Sequence, residues 1–345
     1  YLQATDWHAS DFRDRNALND PTSTRESNEG YDGVNVYGDD IIVPLNLGDD
    51  EVAIPTAEGL AESIAGLEPG TPEFQMYVDS VSALFPDQII SRDGWQERDL
   101  VDYNTRNFRA QASLNYRFAE KYEMILAGGW GTGTAVYTAQ NRFSLANFST
   151  YLARFEIKSP EGFIRFWTTA EDAGDTYDAG TTGTLINESW KDSETWYEDY
   201  IGGFSQGYLI LGFPLEQAYA FARSVANNRA PNGAALDPTK PAFPYAGTPE
   251  FNELFDEVTN DIIPQGTKVI DKTGMSNIEG MYNFKNLISA FELIVGAQYR
   301  HYNINTEGTT FFDKPGEPVN TWWWGGFAQL GKSAMKERLK VTVSA

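Results

Sequence analysis

FRAQASLNYRF, residues 108–118, places Phe108, Ala110, Ala112, Leu114, Tyr116 and Phe118 on one side of an extended chain. Arg109, Gln111, Ser113, Asn115 and Arg117 fall on the other. Side chains alternate across a strand, so the stretch reads as a β-strand with one apolar and one polar face. Its length matches the ~9–11 residues with which a tilted strand crosses a bilayer. Tyr122, Met124, Leu126, Gly128 and Trp130 repeat the pattern immediately downstream. Outward from this pair, strands are predicted over 149–158, 162–171, 280–287, 291–303, 322–331 and 338–345, with the end of another over 1–9.

Alternation does not say what the apolar face meets, because a soluble sandwich writes the same pattern. The connections say more. Tight ones are predicted around 119–121, 159–161, 288–290 and 332–337, and longer ones over 10–104, 132–148, 172–279 and 304–321. If the strands run up and down, all the tight turns lie at one end and all the long loops at the other. Outer-membrane barrels have that asymmetry. Soluble up-and-down barrels rarely carry two connections of such length.

Charge separates along the same line. The chain carries a net −23, which argues against nucleic acid as a partner, since phosphate binding needs a clustered basic surface. Segment 10–104 holds 21 acidic and 5 basic residues, and segment 171–280 holds 18 and 6, so the rest of the chain is slightly basic. A lipid-facing strand surface could not hold so much charge, since an ionised group there costs a few kcal/mol. There is no cysteine and only His8 and His301, which leaves no thiolate metal site and little for a histidine-based one. No run approaches the ~18 apolar residues of a membrane helix, which says nothing against a barrel. The first residue is Tyr1, and the natural beginning is expected upstream.

The acidic segments are expected to fold. Each contains T-P-E-F, at 71–74 and 248–251, where Thr71 and Thr248 can cap, Pro72 and Pro249 suit a first turn, and Glu73 and Glu250 face the positive helix end. Phe74, Val78 and Val81 then form one stripe, and Phe251, Leu254, Phe255 and Val258 another. A third helix is predicted from Pro214 to about Asn227. Folded insertions of this kind read as lids over something worth covering.

Six segments, in order, carry a resemblance. They are YDGVNVYGDD (31–40), GTGTAVYTAQNRFSL (131–145), GFIRFWTTAEDAGDTYD (162–178), NIEGMYNFKNL (277–287), LIVGAQYRHYNINTEGTTFFDKPG (293–316) and GGFAQLGK (325–332). Together they resemble the barrel of TonB-dependent outer-membrane receptors of Gram-negative bacteria, in the branch that often carries a carboxypeptidase-regulatory-like domain. The resemblance implies an all-β fold: an antiparallel transmembrane β-barrel of ~22 strands with a plugged lumen, of which about nine strands lie here. Segments 10–104 and 172–279 become long, partly helical extracellular loops. The plug, the segment that contacts the TonB energy-coupling complex and the remaining strands are expected outside this chain. The implied function is import of a bulky solute, without enzymatic activity. Implied partners are outer-membrane lipid, an extracellular solute such as a siderophore, glycan or peptide, the TonB complex and a surface lipoprotein.

Arg109, Gln111, Ser113, Asn115 and Arg117 are expected to line the lumen. Trp190, Trp196, Tyr197 and Asp199 could stack on and hydrogen-bond a sugar-like solute, or pack inside a folded loop. Glu171, Asp172, Asp175 and Asp178 offer hard oxygens for a structural calcium, or form a solvated strand-to-loop turn. No other cofactor is expected. Asp39, Asp40, Asp49, Asp50 and Glu51 read as solvated acids. Trp322 and Trp324 should share the outer face as an aromatic girdle. G-T-G-T at 131–134 lacks the G-K-[ST] of a phosphate loop. Carboxylate pairs of glycosidase type arise by chance among 49 acids and nominate nothing. Two other classes stay open at this point: a soluble or surface all-β glycan-binding module, and a surface hydrolase.

Overall fold

A computed structural model describes residues 2–4, 8–39, 45–138, 142–334 and 339–345. The chain divides into two compact units, one of residues 1–7, 102–178 and 260–345, the other of 8–101 and 179–259.

The first unit is a large antiparallel sheet. Its nine strands are β1 (Leu2–Ala4), β2 (Thr105–Ala119), β3 (Tyr122–Thr138), β4 (Arg142–Lys158), β5 (Gly162–Asp172), β6 (Gly274–Asn283), β7 (Glu292–Ile304), β8 (Val319–Ala334) and β9 (Leu339–Ser344). Each pairs with its neighbour in sequence, giving an up-and-down meander. A two-residue strand, Tyr177–Asp178, adds to β4 at Ser144 and Phe143. The sheet is not closed: β1 and β9 lie at its two edges.

Register decides what each face carries. Leu114 pairs with Leu126, Leu126 with Phe155, Phe155 with Phe166, Phe166 with Ile278, Ile278 with Tyr299 and Tyr299 with Trp324. One unbroken apolar row thus crosses seven strands, and its members are 37% to 75% exposed. Every buried hydrophobic residue among those described lies in the other unit, within 8–101 or 179–259. The sheet therefore has no dry core of its own.

Two connections differ from the sequence reading. Residues 132–148 were expected to be a longer loop. Instead, β3 and β4 stay paired past a bulge near Gly133, from Ala135 opposite Leu145 to Thr138 opposite Arg142. Glycine and threonine there imitate loop composition, but alternate residues still satisfy the ladder. The strand expected over 280–287 lies upstream at Gly274–Asn283, and the tight turn expected at 288–290 becomes a longer connection. The Asn283 side chain stops the strand by accepting a bond from the Lys285 amide at 2.9 Å and starting a short helical turn. Asp40, the middle of the turn over 332–337, residues 139–141 of the expected loop, and residues 1 and 5–7 of the strand expected over 1–9 lie outside the described residues.

The second unit gathers both acidic insertions around a shared core. Its helices are α1 (Asp50–Ser63), α2 (Pro72–Ser82), the single turn α3 (Glu97–Leu100), α4 (Ala179–Trp190), α5 (Ser193–Ser205), α6 (Leu215–Ala226) and α7 (Pro249–Asn260). Thr71 and Thr248 cap α2 and α7, accepting from the amides of Phe74 at 3.2 Å and Phe251 at 3.3 Å. Asp49 precedes α1, with Asp50 and Glu51 in its first turn, where negative charge meets the positive helix end. On α5, Trp196, Tyr200 and Phe204 recur every four residues and are all buried; on α6, Ala218, Ala222 and Ala226 do the same. The alanines leave room for the rings. Gly203 brings the two backbones together, because a Cβ there would sit 2.9 Å from the Ala222 Cα. Replacing Trp196 with alanine should cost about 3–5 kcal/mol, as for other large core aromatics. Denaturant unfolding of the full chain, followed by tryptophan fluorescence, reads this loss. A change below ~1 kcal/mol contradicts the central place given to Trp196.

Candidate functional site

Opposite the apolar row, the sheet is charged. Glu156 on β4 faces Arg165 on β5, which faces Glu279 on β6. Arg165 donates to Glu156 at 2.6 Å and to Glu279 at 3.0 Å, and Arg154 binds Glu156 from its own strand. Glu156 is only 3% exposed. Such a chain of alternating charges keeps each carboxylate paired and hydrogen-bonded, which a charge removed from water requires. One row away lie Ser113, Ala127, Arg154, Trp167, Asn277, Arg300 and Trp323, with the Arg300 Nε donating to the buried Asn277 at 3.4 Å. Arg165 thus belongs to the polar side, although Phe163 and Trp167, two residues away on either side, share that face.

The five residues expected to line a lumen, Arg109, Gln111, Ser113, Asn115 and Arg117, all stand on this face of β2 and are exposed. Two of them border a recess of about 510 Å³, with Arg109 and Gln111 at one side and Glu171 at another. Gly129, Gly131, Thr150, Leu152, Thr169, Met275 and Tyr302 are among the other residues of its wall. Arg109 and Gln111 stand two residues apart on this face, and with the Gln111 amide turned so that its oxygen faces the guanidinium it accepts from Nη2 at 2.7 Å and from Nε at 3.0 Å. Ser113, Asn115 and Arg117 are not part of the recess.

Trp322 and Trp324 share the apolar face and are 64% and 75% exposed, while Trp323 lies opposite, across from Arg300. The four acids of the calcium reading are not brought together. Asp172 accepts from the Gly174 amide at 2.9 Å, Asp175 accepts from Asn147 at 2.9 Å, and Asp178 is buried. Among the described residues no group of three or more carboxylates or imidazoles is placed to hold a metal ion.

In the second unit the stacking role expected of Trp190 and Trp196 is corrected. Both are buried, with their indole N–H groups donating to Asn187 and Asn227 at 2.9 Å. Tyr197 is half-buried. Asp199 pairs with Lys191, whose ammonium also donates to the Ala226 carbonyl at 2.8 Å. Trp190 and Asp199 do border a groove of about 590 Å³ with Lys191, Leu236 and Lys240, but Trp196 and Tyr197 do not.

The sequence reading missed what lies beneath. Arg25 donates to the Tyr31 and Arg92 carbonyls at 2.7 and 2.9 Å. Arg223 joins Glu29 and, at 3.0 Å, Asp93. The Tyr200 hydroxyl donates to Glu29 at 2.9 Å. Arg92 donates to the Lys191 carbonyl at 2.7 Å and lies over the rings of Trp190 and Trp196. These contacts tie 8–101 to 179–259. Asp39, read as solvated, is fully buried, accepts from the Gly33 amide at 2.9 Å and lies 3.8 Å from Arg25. The available signal was scarcity, since each acidic insertion holds few bases and three of them are in this knot.

Burial alone would raise the Asp93 carboxyl, but Arg223, Arg25 and the Asn227 amide outweigh it and hold its pKa below the ordinary carboxylate range. Burial lowers Arg92 to about 10, which leaves it charged at neutral pH.

No family model, curated protein or solved structure matches the chain.

Because Asp93 titrates lower folded than unfolded, its stabilisation is complete above the unfolded value near ~4 and is lost as pH falls through the folded one. Unfolding midpoints of the full chain should hold from neutral pH to about pH 5 and fall below about pH 4. Asp93→Asn should cost about 3–5 kcal/mol at pH 7, because it leaves two guanidinium groups short of a partner, and should make the acid fall shallower. An acid limb as steep as that of the parent chain contradicts this assignment.

Proposed function

We propose that this chain forms part of the wall and the folded external loops of an outer-membrane β-barrel that imports a bulky solute. The observation that carries the reading is the exposed apolar row from Leu114 to Trp324, backed by the charged row through Glu156, Arg165 and Glu279. A soluble sandwich or lectin built from these strands needs its apolar face pressed against a second layer. In the sheet unit no hydrophobic residue is buried among those described. Lipid is the solvent that favours such a face, and a water-filled or protein-filled lumen is the one that favours its reverse.

Three further features support this reading. Paired strands satisfy their backbone groups within the sheet, which the hydrocarbon region demands. The exposed Trp322 and Trp324 suit an interfacial girdle. In the strand order both acidic insertions leave the sheet at the same end, with tight connections such as those after β2 and β4 at the other. That end is proposed to be extracellular. Resemblance to TonB-dependent receptors adds the energy source: a TonB complex releases the solute inward, and a surface lipoprotein is a fitting companion. No catalytic role is proposed.

Adjacent residues give the test. Leu126 faces the apolar side and Ala127 the polar side. Leu126→Arg should hinder insertion of the full chain into phospholipid vesicles, since arginine on a lipid face costs about 2–4 kcal/mol at the midplane. Ala127→Arg should insert like the parent. Vesicle flotation and protease protection read both. Equal insertion of the two variants, or a parent chain that stays soluble and folded without lipid or detergent, overturns the proposal.

A further inference from the structure

The recess on the polar face has opposite charges at its ends. Arg109 is opposite Gly131, Gly131 is opposite Thr150, and Thr150 is opposite Glu171, so the guanidinium and the carboxylate end one row that crosses four strands. Neighbouring strands lie ~4.8 Å apart, which separates the Arg109 and Glu171 backbones by roughly 14 Å. Between them the floor is low. Gly131 has no side chain, and a Cβ there would already sit 3.3 Å from the Thr150 hydroxyl. In the next row Gly129 is likewise bare, beside Leu152, Thr169 and Met275.

The donors are arranged for a ligand. With the Gln111 amide turned so that its oxygen faces Arg109, it takes the Nε and one Nη2 proton and leaves three of the five N–H groups for a ligand. A guanidinium presents a carboxylate with paired charge-assisted bonds. Glu171 at the far end accepts from an ammonium, and Leu152 and Met275 supply apolar contact between. A strongly anionic solute would meet the Glu171 carboxylate. A neutral sugar would leave the Arg109 charge without a counterpart.

The geometry points to a binding site for a short zwitterionic peptide, with its C-terminal carboxylate on Arg109 and its N-terminal ammonium toward Glu171. An extended tripeptide spans ~10 Å, which fits the gap once both side chains lean inward. The assignment rests on the reading of this face as the wall of a solute path, and it names the class of solute.

Trialanine and its N-acetylated, C-amidated form are the probes. Isothermal titration with the full chain, in whichever medium keeps it folded and monodisperse, should show trialanine binding about tenfold or more tighter than the doubly blocked peptide. Arg109→Gln should abolish the penalty for C-amidation alone and keep that for N-acetylation. Glu171→Gln should do the reverse. This matched loss separates contact from general damage, because a misfolded variant loses both penalties together. Equal binding of blocked and free peptides to the parent, no binding of trialanine at millimolar concentration, or loss of both penalties by each folded variant overturns the site. Failure of the transport reading shows elsewhere: the vesicle assay scores insertion, and a chain that inserts yet does not discriminate the peptides rejects the recess alone.

Discussion

Seven neighbouring strands put Leu, Ile, Phe, Tyr and Trp side chains in one row on one face of a sheet, and all of them are exposed. Apolar area left in water forgoes about 25 cal/mol for every Å² that could have been buried, so a face this wide is unfavourable unless another medium receives it. The sheet satisfies the backbone demands of a hydrocarbon medium, since each strand inside it is hydrogen-bonded on both sides. The reverse face then has to be polar, and it is polar in an ordered way: carboxylates and guanidinium groups alternate across β4, β5 and β6. The recess beside Arg109 and Glu171 belongs to that same face, and what it can hold follows from the charges at its ends.

The second unit obeys a different constraint. It has a water-excluding core of ordinary kind, built from aromatic stripes laid against alanine stripes, and it folds although it is strongly acidic. Arg25, Arg92 and Arg223 reconcile the two by taking their carboxylate partners inside. Breaking a buried pair by removing one partner costs more than making the pair gains, so the knot fixes which segments belong together more than it adds net stability. It joins two stretches separated by about eighty residues of sheet, and it makes the two insertions one folded body.

Much of this was legible in the sequence because two periodicities are clean. Period two over 108–118 gave the faces of β2 correctly, and the capping threonines of T-P-E-F marked α2 and α7. The segment 132–148 misled because its glycines and threonines imitate a loop while remaining paired. Helices α1 and α6 show why apolar scanning reads some helices and not others. Both bury an alanine stripe, at 53, 57 and 61 and at 218, 222 and 226, but alanine hardly registers as hydrophobic; α6 was predicted from Pro214 onward, whereas α1 was not predicted. For Trp190 and Trp196 the sequence left stacking on a solute and packing inside a folded loop both open, and the packing alternative holds, with arginines from distant sequence laid over the rings.

The absence of native cysteine makes the central claim directly measurable. Single cysteines placed in turn along 124–130 of β3, each spin-labelled in the lipid-reconstituted chain, report access to dissolved oxygen against access to a water-soluble nickel complex. The account predicts strict alternation: oxygen-accessible at Met124, Leu126, Gly128 and Trp130, nickel-accessible at Ile125, Ala127 and Gly129. Labels at Leu126 and Trp130 that meet water, or that are immobilised and shielded from both reagents by packed protein, would contradict it.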